Sequence, residues 1–381
     1  MSIDTVYESV RQKMRLGQLG TPKHKKVIEF LKLLWNEDEI KLLDNFDMAF
    51  QFLSARKLAK KAGIIDKEEK KKVKEILKNL AQRGTILSMG NQYAILTLVP
   101  GLFEVHDLIG KDTEERKIEI AKFWRWSFFN LLPQMYRAMD PQIFWPKLPY
   151  DAEEKLITID ESIDTKDQQI LPGELVTEMI EKSDYYAKLY CQCRNTGKLV
   201  GEPCEIPEEL GCFLTGINAK MLVERGIAVE MTKDEAIQYI KDCEKAGLVH
   251  MGMNSGGPET VTFICNCCPC HCVGLSGMAK VGVADYGRNN FEPRINPELC
   301  GLCDTCVRKC PMGAIIHQYP IGNNPADEKI IIMTQKCLGC GVCAANCPKN
   351  AINLVKVRTN GPPKTLKLGD KSVIELLRGS M

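Results

Sequence analysis

The first 190 residues contain no cysteine, although the whole chain of 381 residues contains 18. An excess of charge of either sign is also missing, because 51 Lys and Arg balance 49 Asp and Glu and leave a net charge of +2. This balance excludes a globally basic nucleic-acid binder and an acidic tail, but it leaves room for a local patch. No run is long and apolar enough to cross a bilayer, and the start lacks the apolar segment of a signal peptide. We therefore expect a cytoplasmic protein without membrane insertion.

Several catalytic and nucleotide-binding motifs are absent as well. The sequence has no G-x-G-x-x-G after a strand, no G-x-x-x-x-G-K-[ST] and no G-x-S-x-G. It therefore gives no signal for a dinucleotide site, a P-loop or a serine-hydrolase nucleophile. The cysteines instead come in C-x-x-C and C-x-C steps, which favour metal or cluster ligation over the distant loop closure of a secreted disulfide scaffold.

The last eight cysteines form an internal repeat with an offset of 37 residues. The two copies read Cys300-x-x-Cys303-x-x-Cys306-x-x-x-Cys310-Pro311 and Cys337-x-x-Cys340-x-x-Cys343-x-x-x-Cys347-Pro348. Three cysteines spaced by two residues can wrap a loop around three irons of a cubane, and a fourth before proline reaches the other cluster. Two zinc sites are the alternative, but zinc loops seldom show this doubled spacing with Cys-Pro.

This repeat, over roughly residues 292–357, resembles the bacterial-type ferredoxin with two [4Fe-4S] clusters. The resemblance implies crossed ligation. One cluster would bind Cys300, Cys303, Cys306 and Cys347, and the other would bind Cys337, Cys340, Cys343 and Cys310. The fourth cysteine of each copy is expected to begin a short helix, and Ile315 and Ile352 are expected to pack against the clusters.

A second cysteine-rich segment precedes the repeat. Its candidate metal ligands are Cys191, Cys193, Cys204, Cys212, Cys265, Cys267, Cys268, Cys270 and Cys272. Cys243 lies on the apolar face of a predicted helix and is interpreted as a small buried hydrophobe. Arg194 either stabilises thiolate or cluster charge or forms a surface ion pair.

The segment resembles a region of iron–sulfur proteins from anaerobic bacteria and archaea, with C-x-C-R and C-N-C-C-x-C-C-C elements before a two-cluster ferredoxin domain. His271 stands where a cysteine is usual, so the resemblance does not assign it as a ligand. An additional iron–sulfur centre is the favoured interpretation. A structural zinc site is the second, and a redox-active dithiol of Cys267 or Cys268 with Cys270 is the third.

The N-terminal region reads as helices followed by a hairpin. Helix starts are predicted at Asn36, Ser54 and Asp66, and a Gly90-Asn91 turn predicts the hairpin. This order resembles a winged helix-turn-helix domain. Residues 53–84 carry 11 Lys or Arg and 4 Asp or Glu, which suits either DNA phosphates or a solvated helix face. Such a domain can equally serve to dock a protein.

The region between these segments contains a dense aromatic cluster. Its members are Phe123, Trp124, Trp126, Phe128 and Phe129, which are interpreted as core or as a contact between domains, whereas their exposure would mark a partner interface. A helix over about residues 173–190 is expected to lead to the first cysteine.

The expected fold class is α+β and multidomain: a mostly helical winged-helix-like domain, a Cys-rich middle domain and a ferredoxin-like two-cluster domain. The expected boundaries are 1–110 for the winged helix, 111–184 for the connecting region, 185–290 for the Cys-rich domain, 291–357 for the ferredoxin domain and 358–381 for a tail.

These signals favour an iron–sulfur electron-transfer protein that serves as a subunit or partner of an anaerobic oxidoreductase rather than as a stand-alone enzyme. The expected cofactors are two [4Fe-4S] clusters and an additional iron–sulfur cluster or zinc. A redox-sensing transcription regulator that binds DNA is the first alternative. A reductase with a catalytic Cys-rich centre is the second.

Overall fold

The computed structural model mixes helix and sheet. It describes residues 2–17, 19–137, 144–152, 155–157, 174–253, 263–282, 284, 287–320, 327–359, 367–368 and 371–372. The chain divides into two compact units. One comprises Met1–Ser127 with the short segments Leu199–Gly201 and Lys367–Met381, and the other comprises Phe128–Lys198 and Glu202–Leu366. The five segments expected from the sequence stay predictions.

The N-terminal unit is mostly helical. Its helices are α1 (Ile3–Lys13), α2 (Lys25–Leu34), α3 (Glu37–Leu43), α4 (Ala55–Lys61), α5 (Lys67–Gln82), α6 (Phe103–Ile109) and α7 (Glu114–Asn130), the last of which continues into the second unit. Its strands are β1 (Arg15–Leu16), β2 (Leu19–Gly20), β3 (Leu53–Ser54), β4 (Leu87–Met89) and β5 (Gln92–Ala94).

The helix starts in this unit are set locally, by side chains that cap unpaired backbone N–H groups. Asn36 and Glu39 form the expected capping box of α3, Ser54 accepts from the N–H of Lys57, and Asp66 accepts from the second and third residues of α5. Strands β4 and β5 pair as the expected hairpin. These elements are confirmed, and the three strands have the order β3-β5-β4. The identity of the unit as a winged helix stays a prediction.

The aromatic cluster of α7 is packed rather than exposed. Trp124 and Phe128 are buried, the rings of Phe123 and Phe30 stack with centroids 3.8 Å apart, and Trp124 meets Phe103 edge to face. The interpretation as core is therefore confirmed for Trp124 and Phe128, whereas Phe123, Trp126 and Phe129 are half-buried.

The second unit contains a six-stranded sheet with the order β10-β8-β9-β12-β11-β6. Its strands are β6 (Phe144–Pro146), β8 (Tyr186–Leu189), β9 (Cys212–Thr215), β10 (Val229–Met231), β11 (Val249–Met253) and β12 (Phe263–Cys267), and neighbours pair antiparallel. The helices around it are α8 (Leu132–Arg137), α9 (Val176–Glu181), α10 (Gln192–Leu199), α11 (Gly216–Glu224), α12 (Lys233–Lys245) and α13 (Leu275–Val281).

The helix expected over residues 173–190 is wrong for its second half. Residue 173 lies outside the described residues, α9 ends at Glu181, and the chain then enters β8. Tyr186 and Ala187 are buried against the core and the neighbouring strands. Pairing with β9 and β10, which are distant in sequence, decides this segment, and such pairing leaves little local signal.

The remaining part of the second unit has two short sheets and two short helices. Strand β16 (Ile352–Lys356) pairs antiparallel with β13 (Phe291–Ile295) and parallel with β7 (Leu156–Ile157), while β14 (Ile315–Gln318) pairs with β15 (Lys329–Ile332). The helices are α14 (Thr305–Lys309) and α15 (Val342–Ala345). In the N-terminal unit, β17 (Lys367–Leu368) pairs with β18 (Lys371–Ser372). Within the described residues, no helix is both long and apolar enough to span a membrane.

Candidate cluster and metal sites

The sequence repeat is also a repeat of backbone conformation. Leu302 and Asp304 have positive φ values of 50° and 59°, and the equivalent Gly339 and Gly341 have values of 78° and 74°. Residues other than glycine rarely adopt this left-handed conformation. Two left-handed residues in each loop turn the chain tightly around Cys303 and Cys340. The two loops thus adopt one geometry despite different side chains.

Thiols from both copies of the repeat line one cavity. Cys300, Cys303 and Cys306 of the first copy border this cavity together with Cys347 of the second, and the apolar side chains of Ile295, Ile330 and Ile352 complete its wall. Four thiols around a small, mostly apolar space are a donor set that suits an iron–sulfur cluster. The arrangement is compatible with crossed ligation.

The other four thiols also lie near one another. The pKa of Cys343 is raised, first by burial and then by the neighbouring thiols of Cys340, Cys337 and Cys310. The pKa of Cys337 is raised to about 11, mainly by burial and further by the nearby Cys310. Neighbouring buried thiolates repel one another, so these thiols lose their protons only when a positively charged centre binds and compensates the negative charge. This set therefore also fits a cluster, and both ligand sets stay predictions.

Backbone N–H groups and apolar side chains surround the fourth thiol of each copy. The N–H of Ala314 lies 3.2 Å from Cys310 Sγ, and the equivalent N–H of Ala351 lies 3.3 Å from Cys347 Sγ. The next residues, Ile315 and Ile352, are buried in the core that includes Cys306 and Cys343. Hydrogen bonds to the sulfurs and exclusion of water are the means by which a protein tunes a cluster's reduction potential.

The expected helix after each fourth cysteine is wrong. Cys310 directly follows α14, and Cys347 comes two residues after α15. The proline that follows each cysteine lacks an N–H group and disfavours helical backbone in the residue before it. The fourth thiol is therefore presented as the chain leaves a helix.

The cysteine-rich segment holds two separate groups of side chains. The first lies where the strands β8 and β12 end and β9 begins, and we call it the sheet-edge thiols: Cys191, Cys193, Cys212, Cys265, Cys267 and Cys272. Cys212 pairs with Cys265 across β9 and β12, and Cys191 follows β8, the other neighbour of β9. Because side chains alternate along a strand, Cys265 and Cys267 share one face of β12 while Ile264 packs into the core on the other.

The sheet-edge thiols contact one another in a chain. Cys272 Sγ lies 3.0 Å from Cys267 Sγ. Hydrogen bonding with Cys212 and Cys267 lowers the pKa of Cys265 to about 6, and hydrogen bonding with Cys193 and Cys267 lowers the pKa of Cys272. At this close range, one sulfur of a pair can be stabilised as a thiolate by the thiol of the other. Such a set is prepared to bind metal, which requires deprotonated sulfur.

The second group, which we call the Cys3His group, consists of Cys204, Cys268, Cys270 and His271. One potential ligand atom from each of the four lies within 4.8 Å of those from the other three. The sequence resemblance did not assign His271, whereas the geometry places it with three candidate ligands. The adjacent Cys267 and Cys268 fall into different groups because β12 ends between them.

Arg194 lies between the two groups and is buried, with 1% of its surface exposed. The surface ion pair considered for it is therefore wrong. Its guanidinium donates to the carbonyls of Leu210 and Asn266. Burial opposes its charge, but the negative charge of Cys191 and Cys268 outweighs burial and raises the pKa of the guanidinium. A permanent buried cation of this kind stabilises thiolates on both sides.

A buried hydrogen-bond chain connects this region with the ferredoxin-like part. His250 Nδ1 lies 2.7 Å from Asn266 Oδ1, and its Nε2 lies 3.1 Å from Glu244 Oε1. The amide of Asn346, next to Cys347, donates to the carbonyl of Glu244. No sequence motif marks His250, because its partners lie on other elements. Cys243 is fully buried in the core, as expected.

Comparison with known proteins identifies the C-terminal region. Residues 292–348 match the family described as 4Fe-4S dicluster domain. Pyruvate synthase subunit PorD of Methanocaldococcus jannaschii is 36% identical over 66 residues, which are 17% of this chain and 69% of the relative. A probable iron-sulfur subunit from the Frd operon of Proteus vulgaris is 27% identical over 88 residues, which are 20% of this chain and 51% of the relative.

A longer and weaker similarity extends beyond this region. The putative formate dehydrogenase SH0748 of Staphylococcus haemolyticus is 24% identical over 226 residues, which are 52% of this chain and 21% of the relative. The chain thus spans between about a fifth and two thirds of the length of these three curated relatives. No solved structure matches the chain.

Proposed function

Since the chain belongs, through residues 292–348, to the family of 4Fe-4S dicluster proteins, we propose that it is an electron-transfer subunit or partner of an anaerobic oxidoreductase. The observation that carries this proposal is the cavity where thiols of both repeat copies meet. The names of the relatives, which include a putative formate dehydrogenase and one subunit of a pyruvate synthase, support the oxidoreductase context. A cytoplasmic location belongs to the same proposal.

The proposed ligands are the eight cysteines of the repeat. Cys300, Cys303, Cys306 and Cys347 hold one cluster, and Cys337, Cys340, Cys343 and Cys310 hold the other. When bound, each [4Fe-4S] cluster supplies a site that accepts and releases one electron. The N–H groups of Ala314 and Ala351 stabilise negative charge on the fourth sulfurs, and Ile315 and Ile352 exclude water.

The Cys-rich domain holds at least one further centre in this proposal. Six sheet-edge thiols are more than one tetrahedral metal ion binds, and together with the buried charge of Arg194 they support an iron–sulfur centre there. That centre would extend the electron relay or end it. The N-terminal unit would dock the partner protein.

A reductive titration tests the proposal. The full chain, purified without oxygen, is titrated with dithionite, and we expect it to accept at least about two electrons, one for each proposed cluster. Cys303→Ser and Cys340→Ser should each lose about one electron per chain. Cys243→Ser is the matched control, because this cysteine is buried in the core away from both sets, and it should lose none. A chain that accepts no electrons would refute the proposal.

The regulator alternative rests on the exposed basic face of α5, where Lys70, Lys71 and Lys74 face solvent. It predicts salt-dependent binding to DNA from the region upstream of its own gene. Eight repeat cysteines exceed what a sensor needs, since one exposed cluster suffices for sensing. Electron transfer therefore remains the primary proposal.

A further inference from the structure

The Cys3His group has the dimensions of a single-ion site. Cys204 Sγ lies 3.5 Å from Cys270 Sγ and 4.0 Å from Cys268 Sγ. In a tetrahedral zinc site with Zn–S bonds of about 2.3 Å, neighbouring sulfurs are about 3.8 Å apart. A cubane separates its thiolates more widely, because each thiolate binds a different iron. These distances therefore favour one ion over a cluster.

His271 is oriented as a ligand through Nδ1. The side chain is 5% exposed, and its Nε2 lies 2.8 Å from the carbonyl oxygen of Glu202. An N–H is needed to bond a carbonyl, so the proton is on Nε2 and the lone pair is on Nδ1. This buried Nδ1 has no hydrogen-bond partner among the described residues. Metal-binding histidines commonly donate their second ring N–H to a carbonyl in this way.

The backbone of α10 is shaped around this ring. A Cβ atom added at Gly197 would lie 2.3 Å from His271 Cδ2 and 2.5 Å from its Nε2. Any larger residue at this position would displace the imidazole. The absence of a side chain at Gly197 thus allows the ring to reach the carbonyl of Glu202 while the imidazole remains near the three thiols.

We propose that Cys204, Cys268, Cys270 and His271 bind one zinc ion, with His271 coordinating through Nδ1. The ion joins the loop that carries Cys204 to the loop that follows β12, and these loops are more than sixty residues apart in sequence. A closed site with four protein ligands is structural rather than catalytic. Zinc carries no electrons, so the redox chemistry of the Cys-rich domain belongs to the sheet-edge thiols.

Zinc content with and without the proposed ligands tests this site. The full chain purified without oxygen should contain about one zinc per chain. Cys270→Ser and His271→Ala should lower the apparent zinc affinity at least about tenfold and leave the iron content unchanged. Cys303→Ser is the matched control for Cys270→Ser, because both cysteines are exposed, and it should lower iron and leave zinc unchanged.

Cobalt substitution identifies the ligands directly. After exchange of zinc for Co(II), we expect the ligand-field absorption of a tetrahedral site with three sulfurs and one nitrogen, altered in His271→Ala. Three results would overturn the proposal: iron instead of zinc lost from Cys270→Ser, a disulfide between Cys204 and Cys270 in the protein as isolated, or a wild-type chain without zinc. Failure of electron transfer is a separate result, because it is read from iron and electron counts.

Discussion

Buried charges at single residues decide much of the chemistry in the second unit. Nearby thiolates stabilise the positive charge of Arg194, whereas burial destabilises the charged form of Lys147. Lys147 is 2% exposed. Burial lowers its pKa to about 8, although Glu178 and Glu174 act in the opposite direction. The buried charge of Arg194 is therefore stabilised by thiolates, and that of Lys147 is disfavoured by burial.

Replacement of Lys147 by methionine should stabilise the protein near neutral pH. The pKa of the side chain is about 8 in the folded state and near the ordinary 10.5 in the unfolded chain. Between these values the unfolded state holds more protons, so the wild-type free energy of unfolding rises with pH. Lys147→Met should thus be more stable than wild type at pH 7, by at most about 3 kcal/mol.

Chemical unfolding of both proteins between pH 7 and pH 10 measures this difference. The advantage of Lys147→Met should shrink as the pH rises through the pKa of about 8. An advantage that stays constant across this range would contradict the buried-ammonium explanation.

Whole elements are held together by hydrogen bonds as well as by apolar packing. His250 on β11 bonds Asn266 on β12 and Glu244 on α12. Both partners are buried. Glu244 also accepts from the backbone N–H of Tyr150. This junction fixes the helix against the sheet whose edge carries the thiols.

Replacement of His250 by leucine should destabilise this junction without removing a metal ligand. A buried polar group that loses its hydrogen-bond partner costs about 1–3 kcal/mol, so we expect the free energy of unfolding to fall by about that amount. Asn266 Oδ1 loses the partner, whereas Glu244 Oε1 keeps the N–H of Tyr150. Denaturant unfolding measures the loss, and iron and zinc content should stay at the wild-type level. Loss of metal at unchanged stability would instead show that His250 acts on a metal centre.

The elements show which features the sequence could predict. The capping box at Asn36 was predictable because its two partners lie three residues apart. The ferredoxin-like spacing was predictable because it recurs at a fixed offset. Strand β8 was missed because its partners are distant in the sequence. The split between Cys267 and Cys268 was also hidden, since only the end of β12 directs the two side chains to different groups.

At the scale of the whole molecule, the central structural claim is the exchange of the fourth cysteine between the repeat copies. The cavity lined by Cys300, Cys303, Cys306 and Cys347 supports it. Crossed ligation makes each cluster depend on both copies, so neither half should hold a cluster alone.

Paired substitutions test the exchange. Cys303→Ser combined with Cys347→Ser affects one cluster and should remove at most about four irons. Cys303→Ser combined with Cys310→Ser affects both clusters and should remove up to about eight. Iron per chain, measured with circular dichroism as a control for folding, distinguishes the pairs. The reverse order of losses would show that each copy binds its own cluster.

The most direct test of the account is the amount of iron and acid-labile sulfide per chain in the full protein purified without oxygen. Two [4Fe-4S] clusters require about eight of each, and an iron–sulfur centre in the sheet-edge thiols would raise both numbers further. We predict at least about eight irons and eight sulfides. Zinc in place of iron, with no acid-labile sulfide, would contradict the electron-transfer function.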